Sequence, residues 1–158
     1  MQRKSLRIAQ FIVAARETAP IRTAEELAAL IERVSPPNPR MRRRIHPATR
    51  VFQALRIAVN EELDALEDAL GAAMGLLRPG GRLVVLSYHS LEDRIVKRFL
   101  NAERRGCTCP PEVPVCVCGR SPRLRLVTHP SMTPTDAEID ANPRARSARL
   151  RAAERLAA

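Results

Sequence analysis

Four cysteines lie within twelve consecutive positions, as Cys107-x-Cys109 and Cys116-x-Cys118. Four thiolates are a donor set that holds zinc in a tetrahedron, which makes this segment a candidate metal site. The paired cysteines of zinc sites usually have at least two residues between them and here they have one. Unliganded loop thiols are therefore the alternative interpretation. Several nearby arginines would favour thiolates and an RNA-facing surface: Arg104, Arg105, Arg120 and Arg123.

A polar segment, Ser87-Tyr88-His89-Ser90, directly follows the apolar run 83–86. A continuous apolar run bounded by glycines is typical of a strand buried on both faces, as in a parallel sheet. Ligand crevices of open α/β sheets lie at the carboxyl ends of such strands. There, His89 could donate a hydrogen bond to a flipped base or a phosphate, and Tyr88 could stack on a base. The alternative is that Ser90 caps the next helix and His89 only braces the turn.

Basic residues are concentrated before and within the segment that begins at residue 46. The run 40–44 contains four arginines, and Arg50, Gln53 and Arg56 then recur at helical spacing. A helix whose first turn carries exposed amides and arginines suits phosphate contact, although a capped core helix with a solvated arginine face explains the same pattern. The chain has 27 Lys and Arg against 17 Asp and Glu, a net charge of +10. This balance favours a polyanionic partner, because each neutralised phosphate releases counterions.

The helices that would position these residues follow from apolar spacing and capping signals. Thr23 and Glu26 form a capping-box pattern that predicts a helix over about 24–34. Apolar residues from 49 to 77 recur mostly at steps of three and four, which predicts one long helix, or two with a break near Asn60. Pro79-Gly80-Gly81 then stops the helix.

The second half of the chain alternates between predicted strands and helices. A strand over 82–88 is followed by a helix over about 91–103, and this order predicts one winding of an α/β sheet. Residues 123–128 alternate charged and apolar side chains, as in a half-exposed strand. Residues 134–141 suit a short helix, whereas 147–156 are ambiguous between helix and strand.

The composition narrows the class of protein further. Hydrophobic residues make up 45% of the 158 residues, enough for a domain with a real core. No segment approaches the roughly 18 apolar residues that span a bilayer, and we expect no membrane partner. Arginines interrupt the apolar residues near the N-terminus, so no signal peptide is predicted. The clustered cysteines then suggest reduced thiols or metal, and a cytoplasmic location is expected.

Three motifs carry a resemblance to a known family. The first is HPATRVFQALRIAVNEEL over 46–63, and the second is GGRL through SYHSLEDRIVK over 80–97. The third is NPRARS over 142–147. In this order and spacing they resemble the RsmH (MraW) family of methyltransferases, and the resemblance extends over essentially the whole chain.

The resemblance implies an architecture. The fold class would be α/β, the C-terminal part of a doubly wound, Rossmann-like methyltransferase sheet preceded by part of an inserted helical domain. Residues 1–45 would belong to the helical domain, which is proposed to help recognise RNA, and residues 46–158, with a Cys-rich loop at 106–119, to the methyltransferase domain. One inner parallel strand (82–88) and two edge strands (123–128 and about 147–155) would be supplied, which decides the ambiguous last segment for strand.

The resemblance also implies an activity. The intact enzyme would transfer a methyl group from S-adenosylmethionine to N4 of a cytosine in 16S rRNA of the small ribosomal subunit. None of the six glycines forms a glycine-rich turn between a strand and a helix, so the family's cofactor-binding residues have no counterparts here and lie upstream. This half would then do substrate-side work and be inactive alone, and a separately encoded N-terminal half is one possible partner.

The site residues implied by the resemblance divide by role. His89 and Ser87 are the candidate catalytic side chains. The candidate RNA-binding residues are Arg42, Arg43, Arg44, Arg50, Gln53, Arg56, Tyr88 and Arg94.

Two other functions are compatible with the residues. One is a stand-alone RNA-binding module stapled by zinc, without enzymatic activity. The other is a basic helical DNA-binding protein, which lacks a convincing helix-turn-helix signal.

Overall fold

The computed structural model describes residues 2–36, 46–107, 109–110 and 115–157, and the chain divides into two compact units, residues 1–60 and 61–158. The elements, in chain order, are α1 (Gln2–Thr18), α2 (Ala24–Val34), α3 (Thr49–Asn60), α4 (Glu62–Leu76), β1 (Arg82–Ser87), α5 (Ser90–Arg105), β2 (Leu124–Leu126), α6 (Asp136–Ala141), a 3-10 helix (Pro143–Ser147) and β3 (Arg149–Arg155). The expected domain boundary after residue 45 stays a prediction.

The first unit contains the helices α1, α2 and α3. The predicted capping box at the start of α2 is confirmed, because Thr23 Oγ1 accepts a hydrogen bond from the Glu26 N–H at 3.1 Å and the Glu26 carboxylate accepts one from the Thr23 N–H. His46 fixes the start of α3. Its Nε2 lies 2.7 Å from Glu32 Oε1 on α2, while its Nδ1 accepts from the N–H of the buried Ala48.

For residues 49–77 the sequence predicted either one long helix or two helices, and the structure has two. Glu61 separates α3 from α4 with a left-handed backbone conformation, φ 52°. A non-glycine residue with positive φ interrupts a helix. Helix α4 then ends at Leu76, just before Pro79-Gly80-Gly81 as predicted.

The core of the second unit lies between the helices α4 and α5 and one face of the sheet. Both helices contribute apolar residues four positions apart, which place the side chains on one helical face. The buried residues of this core are Leu70 and Met74 of α4, Val96 and Leu100 of α5, Leu124 of β2 and Ala153 of β3.

The strands form a three-stranded sheet in the order β1-β3-β2, and both pairings are antiparallel. In β1, Arg82 pairs with Glu154 and Ser87 with Arg149. The prediction of an inner parallel strand at 82–88 was therefore wrong for the sheet of this chain, where β1 is an edge strand. The prediction of an edge strand at about 147–155 was wrong in position, because β3 is the central strand, although its assignment as a strand is confirmed.

The expectation that β1 is buried on both faces was also wrong. Leu83 and Val85 pack against the core, whereas Val84 and Leu86 on the other face are 56% and 51% exposed. Successive side chains of a strand point to opposite faces, and the buried residues of α4 and α5 all belong to the core on one face. We call the other face, with Val84 and Leu86, the outer face of the sheet.

The short predicted helix near residue 136 is confirmed as α6, with Thr135 Oγ1 accepting from the Glu138 N–H at 3.2 Å. In the described residues, every helix is too short or too polar to traverse a lipid bilayer.

Candidate nucleic-acid interface and cysteine cluster

The polar segment after β1 connects the sheet to α5. Ser87 is buried, and its hydroxyl donates a hydrogen bond to the Arg149 carbonyl at 3.3 Å. Tyr88 is exposed and its ring is free to meet a planar ligand. Ser87 therefore has a structural role, whereas the exposed ring of Tyr88 is the one that a ligand could contact.

His89, and not Ser90, is the N-cap of α5, which corrects the cap expected from the sequence. Its Nδ1 accepts a hydrogen bond from the Glu92 N–H at 3.3 Å. The Glu92 carboxylate accepts in return from the N–H groups of Tyr88, at 2.9 Å, and His89, at 3.2 Å. The sequence did not indicate this because histidine is an uncommon cap, whereas serine is a favoured one.

The second ring nitrogen of His89 is buried without a hydrogen-bond partner. Because Nδ1 accepts a hydrogen bond, the neutral ring carries its proton on Nε2. This atom is buried and lies 3.2 Å from Glu92 Oε1, yet it makes no hydrogen bond. The N–H of Nε2 does not point at the carboxylate, so the short distance is not a hydrogen bond. The ring can therefore donate only through Nε2.

Helix α5 presents a basic face to solvent. Arg94, predicted to contact RNA, lines an open cleft of about 520 Å³ together with cationic and amide side chains that sequence reasoning did not select. The sequence pattern could have identified them, because these residues follow Arg94 by three, four, seven and eleven positions and therefore lie on one side of a helix. We call this surface the basic face of α5: Arg94, Lys97, Arg98, Asn101 and Arg105.

An ion pair fixes the first turn of α5 against the sheet. Arg151 of β3 donates two hydrogen bonds to Asp93. These hydrogen bonds hold the pKa of the Asp93 carboxyl below its ordinary value, against the opposing effect of partial burial. The pair gives the basic face a rigid attachment to the central strand.

The four cysteines converge at the other end of α5. Their sulfur atoms lie within 4.8 Å of one another. A hydrogen bond from the Cys109 backbone N–H lowers the pKa of Cys107, but contacts with the neighbouring thiols outweigh it and raise that pKa to about 12. Thiols this close cannot all ionise unless a cation lies among them.

The remaining predicted RNA-binding residues belong to the first unit or lie outside the described residues. Arg50 and Arg56 are exposed on α3, and Gln53 between them is half-buried. They share one side of the helix as predicted, and their contact with RNA stays a prediction. Three further residues lie outside the described part of the chain: Arg42, Arg43 and Arg44.

Comparison with known proteins identifies the class of this α/β chain. Residues 2–156 match the model of the MraW methylase family. The ribosomal RNA small subunit methyltransferase H of Thermomicrobium roseum is 61% identical over 150 residues, which are 95% of this chain and 45% of that protein. The enzyme of the same name from Geobacter sulfurreducens is 56% identical over 155 residues, 98% of this chain and 50% of that protein.

The chain belongs to the MraW methylase family. It spans about half the length of the curated relatives it matches.

Proposed function

We propose that this chain forms the RNA-facing part of an S-adenosylmethionine-dependent methyltransferase that modifies N4 of a cytosine in 16S rRNA. The family match over residues 2–156 and the printed names of the relatives support the activity. The observation that carries the role of this part is the basic face of α5, which lies beside an open cleft of about 520 Å³.

The cofactor does not fit the residues that the structure describes. Methyltransferases of doubly wound architecture hold the cofactor at a glycine-rich turn after a strand. Here the turn after β1 reads Ser87-Tyr88-His89, without glycine, and Gly80 and Gly81 precede that strand. Gly71 and Gly75 lie inside α4. We therefore assign no cofactor contact to the described residues and expect the chain alone to be inactive.

The three-stranded sheet has features of an incomplete sheet to which further strands would be added. Within the described residues, β1 has a strand neighbour on one side only, and its outer face exposes Val84 and Leu86. A free edge next to an apolar face is a surface that proteins normally pair or cover. We infer that the part of the relatives that this chain does not match continues the sheet into a doubly wound, Rossmann-like fold, whether in the same chain or in a separately encoded one.

The chemistry that this chain would supply is binding and orientation of the RNA. The lone pair of an exocyclic amine is delocalised into the base, so reaction depends on holding the nitrogen in line with the methyl donor. The arginines and lysine of the basic face suit phosphate oxygens. Tyr88 is exposed for stacking on an extruded base.

A chimeric enzyme tests the proposal. The part of the Thermomicrobium roseum relative that this chain does not match would be fused to this chain, with the intact relative as the positive control. We expect methylation of small ribosomal subunits, located at a cytosine N4 by mass spectrometry of digested RNA. A folded chimera that binds the cofactor and RNA but transfers no methyl group would contradict the proposal. Calorimetry should show no binding of S-adenosylmethionine by this chain alone.

A second function is favoured by the fact that the basic face and the cysteine cluster lie in the same compact unit. That function is a stand-alone RNA-binding module without enzymatic activity. It predicts tight RNA binding by the isolated chain as a stable monomer, together with a chimera that remains inactive.

A further inference from the structure

The arrangement of the four thiols has the dimensions of a metal site. The sulfur of Cys116 lies 3.4 Å from that of Cys107, 3.4 Å from that of Cys118 and 3.9 Å from that of Cys109. The sulfurs of Cys107 and Cys118 are 3.8 Å apart. A regular tetrahedron with Zn–S bonds of about 2.3 Å has sulfur–sulfur edges of about 3.8 Å. The observed edges scatter around this value.

We propose that the cluster binds one Zn²⁺ ion through four thiolates, those of Cys107, Cys109, Cys116 and Cys118. Soft thiolate ligands select zinc over the hard cations magnesium and calcium. Four protein ligands complete the tetrahedron and leave no position for water, so the site is structural and takes no part in catalysis.

The distances distinguish this site from two other uses of cysteine. A disulfide needs sulfurs about 2.05 Å apart, whereas the sulfur of Cys116 lies 3.4 Å from two different partners and all four cysteines are free. An iron–sulfur cluster spreads its thiolates over several iron atoms. Four sulfurs within 4.8 Å of one another instead have the spacing that suits a single ion.

The segment that carries the thiols has little else to hold its conformation. No regular element lies among the described residues between the end of α5 at Arg105 and the start of β2 at Leu124. Val115 and Val117, which alternate with the cysteines, are 70% and 81% exposed. A connection of this length without secondary structure is uncommon in compact domains unless it has a function. The thiols turn toward one another while the apolar side chains do not pack, as expected where metal replaces a core.

Contacts at the base of the segment bring the two cysteine pairs together. Gly106 has a positive φ of 69°, and a Cβ there would lie 2.3–2.6 Å from the backbone of Ser121 and Pro122. Glu103 accepts a hydrogen bond from the Arg123 N–H through its carbonyl at 2.8 Å, and its carboxylate lies 3.3 Å from the Arg123 guanidinium. Only glycine permits this approach, and it lies immediately before the first ligand. The site is therefore preorganised by the protein.

Metal analysis of the 158-residue chain tests the assignment. We expect one zinc per chain by mass spectrometry of the elements after purification without chelators. After removal of zinc, Co²⁺ added alone should give the intense visible absorption of a tetrahedral cobalt thiolate, saturating at one ion per chain. Cys116→Ser should lose both signals, because Cys116 has the closest contacts with the other sulfurs.

Val117→Ser is the matched control, because it lies between two ligands and introduces the same side chain without removing a thiol. It should retain zinc at the stoichiometry of the original chain. Thiol counting in denaturant with chelator should find four free thiols per chain. Less than half an equivalent of zinc, iron in its place, oxidised cysteines, or equal zinc in Cys116→Ser would overturn the proposal. Methyl transfer enters none of these measurements, so the zinc site and the proposed function can fail independently.

Discussion

Arg151 in the central strand and Asp93 in the first turn of α5 form a two-point ion pair. The Nε of Arg151 donates to Asp93 Oδ1 at 2.7 Å and its Nη2 donates to Oδ2 at 3.1 Å. The two side chains are only 16% and 17% exposed. Charge-assisted bonds in this fork geometry are stronger than those between neutral groups. The pair links the helix that carries the basic face to the middle of the sheet. Its loss should lower the free energy of unfolding of the second unit.

Removal of the carboxylate should destabilise the fold. Asp93→Ala leaves the guanidinium of Arg151 largely buried without its partner, and we expect a loss of about 2–3 kcal/mol, below the range for fully buried pairs. Urea unfolding followed by circular dichroism measures it, with all variants made in the Val84→Lys chain, which we expect to be monomeric. Asp93→Ala combined with Arg151→Ala should be no less stable than the worse single variant. Arg125→Ala, which removes an exposed partner of Glu154, is the control and should cost clearly less. Equal losses from Asp93→Ala and Arg125→Ala would contradict the prediction.

The same pair should make stability depend on acid. The pKa of Asp93 is lower in the folded chain than its ordinary value, because Arg151 donates hydrogen bonds to the carboxylate. Its contribution is fully present above the unfolded pKa of about 3.9 and is lost as the pH falls through the lower folded value. In the Val84→Lys chain, urea midpoints measured from about pH 5 downwards should therefore fall more steeply with Asp93 present than with Asp93→Asn. Parallel pH profiles would show that the pair does not contribute.

The cap formed by His89 can be separated from the chemistry of its ring. His89→Ala removes the acceptor for the Glu92 N–H and should cost about 1 kcal/mol, whereas His89→Asn supplies a favoured cap and should recover most of it. Thermal melts in the Val84→Lys chain measure both. Tyr88→Ala is the neighbouring control, because that side chain is exposed and has no part in the cap. Failure of asparagine to restore stability would show that the ring has another structural role.

The basic face of α5 should bind RNA electrostatically. Lys97→Gln with Arg98→Gln should weaken binding of a 16S rRNA transcript, and the slope of log affinity against log salt should decrease by about 1–2. The matched control, Arg82→Gln with Arg125→Gln, removes two charges from the outer face of the sheet and should leave the slope nearly unchanged. Fluorescence anisotropy at several salt concentrations measures both. If both pairs reduce the slope equally, the binding is a property of net charge alone.

The outer face and free edge of β1 should make the isolated chain associate or fold loosely. We expect it to purify as a soluble aggregate or a loosely folded species, because an unpaired edge beside apolar side chains recruits further strands. Val84→Lys should reduce the sedimentation coefficient toward that of a monomer. Leu76→Lys, which adds the same charge at a residue exposed at the end of α4, should not. A sharp cooperative melt from a monomeric original chain would contradict the prediction.

Capping and periodicity predicted most of the local structure. The capping box at Thr23 and the side-chain cap at Thr135 start α2 and α6, because a side-chain oxygen and an amide three residues apart are a purely local pair. The N-cap of α5 is His89, one residue before the serine expected from the sequence, because the His89 ring nitrogen accepts the hydrogen bond from the Glu92 N–H. The cysteine cluster was foreseen as a candidate, but its dimensions depend on the close approach at Gly106.

The sheet shows where local signals end. The apolar run 83–86 identified a strand but suggested burial on both faces, because hydrophobicity alone does not say which neighbours are present. The antiparallel pairing of β1 with β3 joins residues more than sixty positions apart along the chain. The sequence by itself determined the charge, the caps of α2 and α6, the helical spacing and the family. Only the tertiary structure decided which strand is central, which apolar face stays uncovered, and that Asp93 meets Arg151, because these depend on long-range packing and pairing that no local pattern encodes.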